Sequence, residues 1–211
     1  TLFRVFRKDG ASLISYGECA RVGDRVVFSM PTSASPDAPQ LHLVNIPIDK
    51  VDWERTERYA DSVRASRYVA TQAETDYALL TADVDRAINQ IAAATDAPAR
   101  LEIAEGARKR LADWPATHFG YRQDEVRQML GMLDEAIAGL RAAAGERRFD
   151  LSFVATTVVP TPSEPLMAKP SPQEVIEQTL LAAMLSPTSA DRRSLLTVVM
   201  VDLERSEEHT S

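Results

Sequence analysis

The chain has 211 residues and a formal net charge of −7. That acidic balance argues against a surface built to follow a phosphate backbone, which needs clustered Lys and Arg, so no nucleic-acid partner is expected. No apolar run approaches the ~18 residues of a membrane-crossing helix, and the length suits one or two domains with a sizeable core.

Leu2 to Lys8 read as a strand running into Asp9-Gly10, a pair that suits a two-residue type I′ turn and hence a hairpin. The next strand is expected over Ser12 to Val22, with Gly17 as a bend or bulge. Gly23-Asp24 turns the chain into a third strand, Arg25 to Met30. A loop with Pro31, Pro36 and Pro39 precedes a fourth, Leu41 to Ile46. These four strands predict a small antiparallel meander or an SH3-like barrel over residues 1–47. Cys19 lies in a strand-like stretch and reads as a half-buried thiol; with one cysteine, no internal disulfide is available.

Between Pro47 and Pro98 there is neither Gly nor Pro, which predicts one long helix capped near Asp52. Val63, Ala70, Tyr77, Val84 and Ile91 recur every seven residues. Ser66, Ala73, Leu80 and Ala87 fall three places after the first four, giving a seam of the coiled-coil kind with many small residues. Asp96 is placed to cap a second helix with Pro98 in its first turn. Its apolar face is Leu101, Ala104, Ala107 and Leu111, and its end falls near Trp114-Pro115. A third helix, about Gln123 to Ala144, carries Val126, Leu130, Leu133, Ile137 and Leu140. Together with Phe149 to Ala155, read as a strand returning to the sheet, these form an antiparallel helical bundle over 48–158.

Pro160, Pro162, Pro165, Pro170 and Pro172 read as a stiff linker over 159–172. Ser171, Pro172 and Glu174 then match a capping box, opening a helix to about Leu185. After a turn at Pro187 a second helix runs to about Leu203, so residues 173–204 form a helical hairpin, read as truncated. The fold class expected is α+β.

Both ends read as cut. Thr1 stands directly before a strand, so an export signal would lie upstream. Arg205-Ser206-Glu207-Glu208-His209-Thr210-Ser211 resembles a translated sequencing-adapter read, and residues 205–211 are expected to carry no function, His209 included.

The run Arg4 to Gly10, Tyr16-Gly17-Glu18, Val22 to Pro31 and Val51-Asp52-Trp53 resembles a group of uncharacterised bacterial exported proteins over residues 1–150. In that group a β-module follows an export signal and precedes helical hairpins. The resemblance implies a periplasmic or extracellular, envelope-associated protein, with the cytoplasm as the alternative, and it implies no activity. Val22 to Val26 is also similar to FecR-type sensor domains, whose remaining pattern is absent.

Chemistry-bearing patterns are few. Outside the tail the histidines are His42 and His118, too far apart in sequence to suggest a ligand pair, and no metal motif is present. No glycine-rich phosphate cradle and no nucleophile motif occurs, so no catalytic residue and no cofactor is assigned. The one dense cluster is the loop Trp114, His118, Phe119, Tyr121, Arg122, Asp124 and Glu125. Loops on rigid scaffolds often bind, and Trp114, His118, Tyr121, Arg122 and Glu125 are the candidate ligand-binding residues. In the competing reading Trp114 and Phe119 plug helix ends, His118 caps a carbonyl and Asp124 serves the next helix N-terminus. Trp53 and Tyr59 read as a hydrophobic joint between the strands and the long helix.

Two functions from different classes follow. One is a non-enzymatic interaction or scaffold protein of the envelope, with an unidentified protein partner. The other is a small-ligand binder or enzyme using the 114–125 loop. A third mode, addition of a peptide to an edge strand, needs an exposed strand within residues 2–46.

Overall fold

A computed structural model describes residues 1–32, 40–143, 158–162 and 164–208. The expected strand at 149–155 lies outside these. The protein is α+β, with strands β1 (Leu2–Phe6), β2 (Ser12–Tyr16), β3 (Ala20–Val22), β4 (Arg25–Pro31) and β5 (Leu41–Pro47) ahead of the helices. The helices are α1 (Trp53–Thr71), α2 (Ala73–Ala93), α3 (Ala97–Thr117), α4 (Gln123–Ala143), α5 (Pro172–Leu185) and α6 (Ser189–Glu208).

Among the described residues the strands make two antiparallel sheets, β1-β2 and β3-β4-β5, and no closed barrel. Two turns differ from the expectation. Phe6 pairs with Ser12, so the first hairpin turns through three residues, Lys8 to Gly10, between the Arg7–Ala11 main-chain hydrogen bond. Only Gly10 is left-handed (φ 90°), where a type I′ turn requires Asp9 to be so as well. The Asp9 carboxylate instead accepts the Ala11 N–H at 3.1 Å. The expected strand over Ser12 to Val22 is two strands in different sheets, divided at Gly17 (φ 93°). A left-handed residue ends the pleat and redirects the chain.

Packing divides the chain into two compact units, residues 1–63 with 163–211, and 64–162, so the boundary falls inside α1 and not at residue 47. In the first unit, alternate residues of β4 and β5 face inward: Val26 opposite Ile46, and Phe28 opposite Val44. They join Val5, Leu13, Met30 and Val51 in a core that α5 and α6 complete with Ala182, Ala183 and Leu195. The small alanines let α5 sit close to β2 and β5. The C-terminal hairpin therefore shares the core of the strands. The segment before it, expected as a linker, lies on this unit from Glu164 onward.

The start of α5 is also more than a cap. Ser171 Oγ accepts the Glu174 N–H at 3.1 Å, as expected for the N-cap. The Glu174 carboxylate takes a different partner from the one a capping box requires. It meets Arg4 at 2.9 Å and accepts from Gln178 Nε2 at 3.1 Å. Gln178 Oε1 in turn accepts the Ile14 N–H of β2 at 2.7 Å. Arg4 is buried in β1, so this polar chain ties α5 to both strands of the first hairpin.

A second cluster holds α1 to the same hairpin. Phe3 and Phe6 pack with Tyr59 and Val63, the Phe6 and Tyr59 rings meeting edge to face at 5.5 Å. Asp52 caps α1 as expected, accepting the Arg55 N–H at 3.1 Å. Trp53, the first residue of α1, packs at the margin of the strand core beneath the Arg21 guanidinium, 3.6 Å from the ring centroid. Burial pushes the thiol of half-buried Cys19 up, which lowers its thiolate fraction at neutral pH.

In the second unit α2, α3 and α4 follow one another as antiparallel neighbours in contact, α2 with α3 and α3 with α4. The long helix expected from 47 to 98 is interrupted at Gln72 (φ −133°, ψ −33°). Gln is a good helix former, so this break is not written in local propensity. The heptad seam is buried at Ala73, Tyr77, Leu80 and Ala87 of α2, whereas Ser66 and Ala70 of α1 are exposed. Asp96 caps α3, accepting the Ala99 N–H at 3.2 Å. α3 runs three residues past the expected end, with Pro115 in its last turn.

Candidate functional site

Among the described residues, the connection from α3 to α4 is the most irregular backbone in the second unit. Phe119 (φ 53°), Gly120 (φ 69°) and Arg122 (φ 49°) are all left-handed. Each non-glycine residue there costs roughly 1–2 kcal/mol, so packing must hold them. A Cβ on Gly120 would come within 3.1 Å of Thr161 Cγ2, a crowding that adds to its positive φ in favouring glycine. Gly120 N–H bonds the Pro115 carbonyl at 2.8 Å and the Tyr121 N–H bonds that of His118 at 2.9 Å, closing the turn on itself.

Trp114 anchors the cluster from the last turn of α3. Its indole is buried and Nε1 donates to the Tyr121 carbonyl at 2.8 Å. His118 stacks on it at 3.6 Å with the planes 11° apart. Its Nδ1 lies 2.7 Å from Thr117 Oγ1 and 3.1 Å from the Trp114 carbonyl. The imidazole thus covers the helix end. Tyr77 of α2 meets Trp114 at 6.0 Å and Tyr121 at 6.3 Å, and Tyr68 lies 5.6 Å from Phe119 and 5.8 Å from His118.

The charged rim is internally paired. Tyr77 donates to Glu125 at 2.9 Å, and Tyr121 donates to Glu74 at 2.8 Å. The Arg122 guanidinium lies 3.2 Å from Glu74, 3.3 Å from Glu125 and 4.7 Å from the centre of the Tyr77 ring. Asp124 pairs along α4 with Arg127 at 2.7 Å. All five candidate residues come together, and the structure adds Tyr68, Glu74 and Tyr77 from α1 and α2. Tyr77 stood in the heptad seam. Tyr68 and Glu74 carried no sequence signal, because their proximity to the loop is set by the turn at Gln72.

Burial first, and hydrogen bonding to Glu125 second, push the Tyr77 phenol up. The Tyr68 hydroxyl is closed off from solvent and, among the described residues, meets no partner in hydrogen-bonding geometry. Burial first, and the Asp76 carboxylate second, push its phenol up to about 12. A folded-state value above the unfolded one stabilises the fold fully below pH ~10 and ceases to do so as pH rises through the folded value. Denaturation midpoints should therefore fall between pH ~10 and 12, and Tyr68→Phe should flatten that fall. An unchanged alkaline profile in Tyr68→Phe would remove Tyr68 from this account.

Glu74 and Glu125 are each engaged by a phenol and by Arg122. No group of three His, Cys, Asp or Glu side chains is arranged to hold a metal among the described residues. The arrangement serves most directly to fasten α2 to the α3–α4 turn. No protein-family model, no curated protein and no solved structure matches this chain.

Proposed function

We propose that the chain is a non-enzymatic protein–protein interaction or scaffold component of the bacterial envelope, acting through the outer face of its C-terminal hairpin. The observation that carries this reading is the exposed apolar row on each helix of that hairpin. On α6, Leu196, Met200 and Leu203 are 40%, 63% and 47% exposed, at i, i+4 and i+7. The same helix already buries Leu195 and Val199. On α5, Leu180 and Met184 are exposed at i and i+4, while Val175, Thr179, Ala182 and Ala183 are buried. A helix that is apolar on its outer side as well as its core side is suited to a second partner. Methionine adapts readily to an irregular surface. Envelope placement is supported by the resemblance of residues 1–150, and no helix among the described residues is long and apolar enough to cross a membrane.

The test is a photo-crosslinking residue placed at Met184 or Met200 in bacterial cells, with exposed Asp85 and Lys109 as control positions. Discrete adducts from the hairpin positions, recovered in the envelope fraction and abolished by Leu196→Glu, are expected. Adducts equal to those of the controls would overturn the reading. A small-ligand site at the 114–125 loop is the second reading, favoured by the left-handed Phe119 and Arg122, since strained backbone gathers at binding sites.

A further inference from the structure

We infer that the face of α1 bearing Arg55, Arg58, Tyr59 and Ser62 is a receptor for an extended peptide segment with a Glu-Pro pair, and that residues 164–168 of the same chain occupy it as an internal ligand. This surface is separate from the hairpin face proposed above.

The contacts have the form of peptide recognition. Two side-chain hydroxyls of α1, one turn apart, read the main chain of the segment. Ser62 Oγ accepts the Glu164 N–H at 3.0 Å, and the Tyr59 hydroxyl accepts the Met167 N–H at 3.3 Å. Two guanidiniums on the same helix hold the one acidic side chain. Arg55 Nε lies 3.4 Å from Glu164 Oε1, and Arg58 Nε lies 3.6 Å from Oε2. Arg55 is itself laid over the Phe6 ring at 4.2 Å, which orients its fork before the carboxylate arrives. At the far end Arg4 Nη2 donates to the Ala168 carbonyl at 3.4 Å.

The segment's sequence explains why side chains do this work. Pro165 has no N–H and restricts Glu164 to extended backbone, so a helix cannot satisfy the remaining donors. The N–H groups of Glu164 and Met167 then bond to α1. Leu166 and Met167 are each 47% exposed, so neither side chain is enclosed. Recognition rests on Glu164, the proline and the main chain. The ligand class is therefore an extended segment with a Glu-Pro pair followed by two residues that need only be tolerated.

Covalent attachment gives the internal segment an effective concentration in the millimolar range, so an outside peptide of the same class competes poorly until the Glu164 anchor is removed. The probe is a fluorescent peptide with the sequence of residues 161–169, and binding is read by fluorescence anisotropy on the full chain. Glu164→Ala is expected to bind it saturably, at least about tenfold more tightly than the unsubstituted chain. Adding Arg55→Ala and Arg58→Ala, or replacing the peptide's glutamate by glutamine, is expected to weaken that binding about tenfold. Far-UV circular dichroism establishes that each variant is folded; if Glu164→Ala is not, the isosteric Glu164→Gln takes its place. Binding no tighter than to the unsubstituted chain, or binding indifferent to both arginines, would overturn the inference.

Discussion

Trp114→Ala should lower the unfolding free energy of the 64–162 unit by about 3–5 kcal/mol, the range for removing a buried large aromatic side chain. The indole is 4% exposed and packs with Tyr77, Leu80, Leu111, Val126 and Leu130 of α2, α3 and α4. Its loss opens a cavity where all three helices meet. It also strips the Tyr121 carbonyl of its Nε1 donor and leaves His118 with no ring to stack upon. The turn then loses what holds Phe119 and Arg122 left-handed. Urea denaturation followed by far-UV circular dichroism measures the change. A loss below about 1 kcal/mol would mean that the α3–α4 turn does not depend on this ring. His118→Ala should cost far less, since the imidazole covers the indole from its outer side.

Glu174→Ala should cost about 3 kcal/mol, because it leaves a buried guanidinium without its counter-charge. Arg4 has a side chain 4% exposed and, among the described residues, would keep Ser12 Oγ at 3.3 Å and the Ala168 carbonyl at 3.4 Å. Gln178 would lose the acceptor that steadies its amide against the Ile14 N–H. The cost comes from the unpaired charge more than from lost attraction. Arg4→Met combined with Glu174→Leu should therefore recover most of the stability. A double variant no more stable than Glu174→Ala would show that the network, and not the charge imbalance, carries the effect.

These two sites were legible to different degrees. The loop from Trp114 to Glu125 stood out because aromatics, an imidazole and charges crowd into one connection, and its residues do converge. Its partners Tyr68 and Glu74 were not legible, since nothing in their neighbourhood marks the turn at Gln72 that places them. Arg4 read only as part of the first strand, and Glu174 as half of a capping box. Their pairing spans 170 positions, a distance over which no local pattern operates.

By itself the sequence determined the α+β class, the strand-then-helix order, the caps at Asp52, Asp96 and Ser171, and the apolar faces of α2, α3 and α4. These follow from periodicity and from which side chains can satisfy a helix end, both local properties. Only the tertiary structure decided that the strands form two sheets, that the proline segment lies on α1, and that the C-terminal hairpin shares the strand core. The physical reason is that a small β-module cannot bury enough apolar surface alone. It completes its core with whichever segment offers close-packing alanines, and here that segment lies more than a hundred residues further along the chain.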